Sequence, residues 1–200
     1  MSLRVLVLAE DITHDQHIAC PVVRGTLAAL GQAQAVVRPC LDPRFQGFTQ
    51  ATDPAALRDV YAIYPMVDLF VLCVDRDGED GRADVIGRLE AGAAKAGATL
   101  FGLVAHQEIE AWALAGCSDF KPRSFGLASW RAVRTDPDVK ERAFEPFADA
   151  RGVALGVGGG RKALGQEAGR ANASRVRAKC PEVAAFSDRI QVWLDERTAS

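Results

Sequence analysis

No two cysteines in this chain stand close together. Cys20, Cys40, Cys73, Cys117 and Cys180 are odd in number and widely spaced, which fits neither a disulfide framework nor a zinc knuckle. Reduced thiols in a cytoplasmic protein are the expectation. Long apolar runs are missing too. No segment approaches the roughly 20 apolar residues that span a bilayer, and the N-terminal LRVLVLA meets Glu10 and Asp11 too early for a secretion signal. The expected partners therefore include no membrane. Net charge is also scarce, at −2 over 200 residues, so attraction for a polyanion has to be local. What the chain does have is apolar mass, 48% of its residues, enough for the core of one domain.

Over the first 115 or so residues, short apolar runs alternate with helical patterns. Arg4–Ala9, Ala33–Pro39, Leu69–Val74 and Thr99–Ala105 read as strands, the third with the continuous apolar character of a central parallel strand. Between them lie Pro21–Leu30, with Pro at the first helical position, Pro54–Tyr64 capped by Asp53, and Ala83–Ala96. EIEAWALAG begins a further helix. This predicts an α/β fold with a mainly parallel central sheet flanked by helices, its ligands at the carboxyl ends of the strands. Residues 1–116 form the expected α/β core. Residues 117–200 form a helical and irregular C-terminal extension packed on it, ending in an amphipathic helix over Glu182–Glu196.

Acidic residues follow three of the four expected strands: Glu10 and Asp11, then Asp75 and Asp77, then Glu108 and Glu110. In a parallel sheet these ends share one edge, where crowded carboxylates repel unless a cation neutralises them. Hard oxygen donors of this kind suit Mg²⁺ or Mn²⁺. Asp75 and Asp77 would point the same way from an extended segment. Glu108 and Glu110 stand about 200° apart on a regular helix, so both serve one site only if the helix starts at or after Glu108. Each cluster alone also reads as a solvated loop, and DRDGED is a good turn.

Glu10 after the first strand, Asp75-x-Asp77 after the third and a later acidic element resemble the TOPRIM domain of topoisomerases, primases and nucleases of the overcoming-lysogenization-defect type. AEDIT, VDRDGED and EIEAWALAG are similar to small bacterial TOPRIM-like proteins whose hallmark is Glu-x-Glu-Ala-Trp, and KCPEVAAFSDRI is similar to their C-terminal end. Asp11 departs from the pattern, standing where a glycine is usual. The resemblance implies a TOPRIM-like Rossmannoid fold and metal-dependent phosphoryl transfer on nucleic acid, DNA more than RNA, with an ATPase as a further partner. By position, Glu10 would be the general acid/base and Asp75 and Asp77 the metal ligands, with Glu108 or Glu110 completing a second metal shell. A catalytically idle TOPRIM-like binding module and a small-molecule phosphohydrolase are the alternatives.

Residues 151–180 carry seven cations against the single acid Glu167. Arg161, Arg175, Arg177 and Lys179 are the expected contacts to a phosphate backbone, and Lys162 or Arg161 the stabiliser of transition-state charge. GVGGGRKA is no nucleotide-triphosphate loop, because Arg161 replaces its last glycine and Ala163 its metal-binding hydroxyl. Trp112 reads as a core anchor for its helix.

Overall fold

The computed structural model describes residues 2–199. Four strands, β1 (Arg4–Ala9), β2 (Val36–Pro39), β3 (Leu69–Val74) and β4 (Leu100–Val104), form one parallel sheet in the order β2-β1-β3-β4. β3 is buried along its whole length, as its unbroken apolar run requires of a strand covered on both faces. The helices are α1 (Ile12–Ala29), α2 (Phe48–Ala51), α3 (Pro54–Ile63), α4 (Arg82–Lys95), α5 (Glu110–Gly116), α6 (Trp130–Thr135), α7 (Glu145–Ala150), α8 (Arg161–Arg170), α9 (Arg177–Lys179) and α10 (Pro181–Ala199). A 3₁₀ turn spans Pro122–Phe125, and π-helical turns span Lys140–Phe144 and Asn172–Val176. None of the described helices is long and apolar enough to cross a membrane.

Alternate strand residues feed two apolar clusters. Val5, Val7, Val71 and Cys73 face a large core shared with α1, α5, α8 and α10, while Leu6, Leu8, Phe70 and Leu72 face a smaller one with α3 and α4. The C-terminal extension thus contributes to the same core as the first half of the chain, and Trp112, fully buried, anchors α5 in it.

One element departs from its expected bounds in a way that matters. The first helix starts at Ile12, capped by the Asp11 carboxylate on the Thr13 amide at 3.1 Å, and Pro21 lies inside it. Proline removes one backbone donor in a helix interior. Here the crossing with α8 falls beside that position: a Cβ at Gly165 would collide with the His17 carbonyl oxygen, and one at Gly169 would stand 2.6 Å from that of Pro21. The glycines of α8 let two backbones meet where a side chain on either would hold them apart.

Candidate acidic site at the sheet edge

β1 connects to β2 on one side, and the chain then crosses back to place β3 on the other, so the crevice between β1 and β3 is a topological switch point. Glu10 and Asp75 leave those two strands there. Ala9 pairs with Cys73, which brings the two acidic residues almost level. The Asp75 amide donates to Glu10 Oε1 at 3.1 Å, and Asp75 Oδ1 accepts from the Ile109 amide at 2.8 Å, just before α5. Asp75 therefore ties β1, β3 and α5 together.

Asp77 reaches the same place by a route different from the expected extended one. Its φ is +49° and that of Gly78 is +72°, so the chain turns at once after Asp75. The Asp77 carboxylate nevertheless meets Arg82 at 2.8 Å. Arg82, the first residue of α4 and only 9% exposed, also donates to the Asp75 carbonyl at 2.6 Å and to Glu10 Oε1 at 3.3 Å. Its guanidinium lies over the Phe48 ring, 4.3 Å from the centroid.

Glu110 is 4% exposed and is held by Arg161, whose Nε donates to its Oε1 at 2.9 Å and whose Nη2 donates to the same oxygen. Gly158, whose φ is +65°, lets the loop before α8 turn so that its carbonyl accepts from Arg161 Nη1 at 3.1 Å. The close α1–α8 crossing sets where Arg161 starts. Glu108 precedes α5 and accepts from the Lys140 amide at 2.9 Å, so the condition for both glutamates to approach one edge is met.

The electrostatics bring these groups together more plainly than the hydrogen bonds do. Burial first, then the negative charges of Glu110, Asp15, Glu10 and Asp77 in that order, push the Asp75 carboxyl well above the usual range. Burial raises Glu10 as well, against the lowering pull of Arg82 and the Asp75 amide. Asp15 is pushed up to about 7 by burial, with the charges of Glu110 and Asp11 adding to it. Glu108 also rises to about 7, again through burial.

Sequence reasoning missed Asp15 and Arg82. Asp15 sits on the first turn of α1, and a helix drawn from Pro21 leaves it in a loop. Arg82 follows DRDGED by two residues, and the signal was the need for a cation inside a crowd of carboxylates.

The expected basic contacts are largely spent on the fold. Arg175 Nε donates to the Gly116 carbonyl at 2.7 Å and Lys179 Nζ to that of Ala115 at 3.1 Å, satisfying the C-terminal end of α5. Arg177 faces Asp188 at 3.4 Å. Lys162 is exposed, while its neighbour Arg161 makes the contact to Glu110.

Among the described residues, no three His, Cys, Asp or Glu side chains already stand together as a set of metal ligands. Each guanidinium occupies one carboxylate oxygen, Arg82 on Glu10 and Arg161 on Glu110. The donor chemistry still fits a hard cation. All the donors are carboxylate oxygens, and among the described residues the hydrogen bonds to Glu10, Asp75 and Glu110 fall on one oxygen of each. No family model, curated protein or solved structure matches this chain.

Proposed function

We propose that this protein is a TOPRIM-like, Mg²⁺- or Mn²⁺-dependent phosphoryl-transfer enzyme that hydrolyses phosphodiester bonds of nucleic acid, DNA in the first place. The observation that carries the proposal is Asp75: at the switch point of a parallel sheet, it is surrounded by Glu110, Asp15, Glu10 and Asp77, and of these Glu10 and Glu110 are paired with the largely buried Arg82 and Arg161. Such mutual repulsion is costly unless a ligand relieves it, and groups with strongly perturbed proton affinity in a cleft cluster at functional sites. The resemblance of the Glu, Asp-x-Asp and Glu-x-Glu-Ala-Trp segments to TOPRIM-like proteins points the same way.

Asp75 and Asp77 would hold the cation, with Glu110 or Glu108 supporting a second. A bound divalent cation supplies neutralisation of phosphate charge and activation of an attacking or leaving oxygen. Glu10, its proton affinity raised by burial, is placed to take or give a proton at the reacting oxygen. Arg82 fixes the Glu10 carboxylate relative to the Asp75 backbone, and Arg161 holds the buried Glu110 by a charge-assisted hydrogen bond.

The test is Mn²⁺-dependent cleavage of single-stranded, duplex and supercoiled DNA and of RNA by wild type and by Glu10→Gln. Glutamine keeps the hydrogen bond to the Asp75 amide but cannot take a proton. The rate should fall at least about a hundredfold while fold and nucleic-acid affinity survive. Equal activity in the variant would remove Glu10 from the chemistry.

A second reading is a TOPRIM-like module that binds nucleic acid or an ATPase partner without catalysis. It is favoured by the same arginines, which already neutralise the carboxylates. It predicts no rate in wild type on any of these substrates, nor on a small phosphate ester.

A further inference from the structure

The cations of residues 151–180 are mostly engaged in the fold, so the surface that would receive an anionic chain has to lie elsewhere. Beside the 3₁₀ turn at Pro122–Phe125 and the start of α6 lies an open cleft of about 540 Å³. Lys121, Arg123 and Lys179 line it together with Trp130 and Ser129, and the lining includes no acidic residue. Lys121 and Arg123 are exposed and form no ion pair among the described residues. The Trp130 indole is fixed by a 2.6 Å hydrogen bond to the Lys179 carbonyl, with the Lys179 ammonium 5.0 Å from its ring centroid.

α6 leads from this cleft towards the acidic site. Arg131, exposed and likewise without an ion pair among the described residues, follows Trp130 directly. One turn on, about 6 Å along the axis, is Arg134. It pairs with Glu182 at 2.7 Å, and Glu182 also accepts from the Trp112 indole at 3.1 Å, two residues beyond Glu110. His106, in the loop between β4 and α5, lies within the electrostatic reach of Arg134, Arg76 and Arg131. Arg76 belongs to the Asp75–Asp77 segment, and its amide donates to the Gln107 carbonyl at 3.1 Å. The loop that carries Asp75 and Asp77 thus also carries Arg76, which pairs with Asp80.

We propose that the phosphate backbone of a nucleic acid binds along this track, from the cleft at Lys121, Arg123 and Trp130 over Arg131 and Arg134 to Arg76 and His106 at the acidic edge. The assignment rests on the nucleic-acid reading above and gives it a surface. A cleft with cations, hydroxyls and one clamped indole takes a phosphodiester chain with a base beside it. Lys121, Arg123 and Arg131 have no internal partner among the described residues and can exchange their counterions for phosphates, Arg134 and Arg76 would share theirs with Glu182 and Asp80, and cations already bonded to carbonyls cannot do so without breaking the fold.

The experiment compares the triple variant Lys121→Gln, Arg123→Gln, Arg131→Gln with the control triple Arg58→Gln, Arg88→Gln, Arg170→Gln. All six residues are exposed, and each triple removes the same charge. Fluorescence anisotropy with labelled single-stranded and duplex DNA and with RNA is measured across a salt series without divalent cation, and circular dichroism checks folding. The track variant should bind about tenfold or more weakly, and the slope of log affinity on log salt should fall by about two to three. The control should keep the wild-type slope. Equal slopes in the two triples would overturn the proposal, as would a wild type that binds none of these nucleic acids. Binding of polyglutamate that is lost in the track variant while oligonucleotide binding is kept would also overturn it, in favour of an acidic protein partner. Hydrolysis of bis(p-nitrophenyl) phosphate with Mn²⁺ reads the catalytic site separately. Retention of that activity in the track variant, with oligonucleotide binding lost, supports both assignments. Its absence in wild type beside a normal binding result rejects the catalysis and keeps the track.

Discussion

Replacing Asp15 by asparagine should stabilise this protein at pH 8 and do little in acid. The wild-type carboxyl rises from 3.8 to about 7 on folding, because burial and the neighbouring Glu110 and Asp11 disfavour its charged form. A group whose folded value is raised favours folding most below its unfolded value, and that contribution disappears as pH climbs through the folded one. Between pH 4 and pH 7 the wild type therefore loses stability relative to the variant. At about 1.4 kcal/mol for each tenfold change in proton affinity, the ceiling is about 4 kcal/mol. Water at a half-buried carboxylate and adjustment of Arg161 reduce this to about 2 kcal/mol. Asparagine is isosteric, and its carbonyl can keep the 3.2 Å hydrogen bond from the Asp11 amide. Urea unfolding at pH 4 and pH 8 without divalent cations measures the difference directly. In a chain of this length 2 kcal/mol corresponds to about 4–8 °C in Tm. A variant no more stable than wild type at pH 8, or equally more stable at both pH values, would refute an Asp15 carboxyl raised by burial and its acidic neighbours.

Two other substitutions probe the supports of the site. Arg161→Gln leaves Glu110 buried without its guanidinium and should cost about 3–5 kcal/mol in urea unfolding at neutral pH; a loss below about 1 kcal/mol would show that Glu110 reaches water instead. Gly165→Ala drives a methyl group into the His17 carbonyl and should lower stability by about 1–3 kcal/mol, whereas Gly87→Ala, with open space around it, should be neutral or stabilising in the same thermal melts.

The parallel sheet was legible because its strands are short apolar runs closed by charged residues, a pattern set by burial on both faces. The same closing residues placed Glu10, Asp75, Glu108 and Glu110 on one edge. Less legible was anything decided by contact between distant segments. Pro21 reads locally as a helix start, yet the α8 glycines make its interior position workable, and with that shift Asp15 joins the site. The C-terminal cations read as a surface footprint because formal charge does not show which ammonium or guanidinium caps a buried helix. Arg175 and Lys179 do that for α5, while Lys121, Arg123 and Arg131, scattered through a less patterned stretch, remain outside. Arg82 was hidden for a related reason, since a lone arginine after a turn gives no local sign that three carboxylates converge on it.

The central claim is that the carboxylates around Asp75 hold a divalent cation. Crystals of wild type and of Asp75→Asn, grown with Mn²⁺ and measured at the manganese edge, test it most directly. The account predicts an anomalous peak within about 2.5 Å of Asp75 oxygen in wild type, with Asp77, Glu10 or Glu110 as a further ligand, and no such peak in the variant. Saturating Mn²⁺ that leaves Arg82 and Arg161 on their carboxylates with no peak at Asp75 would contradict it.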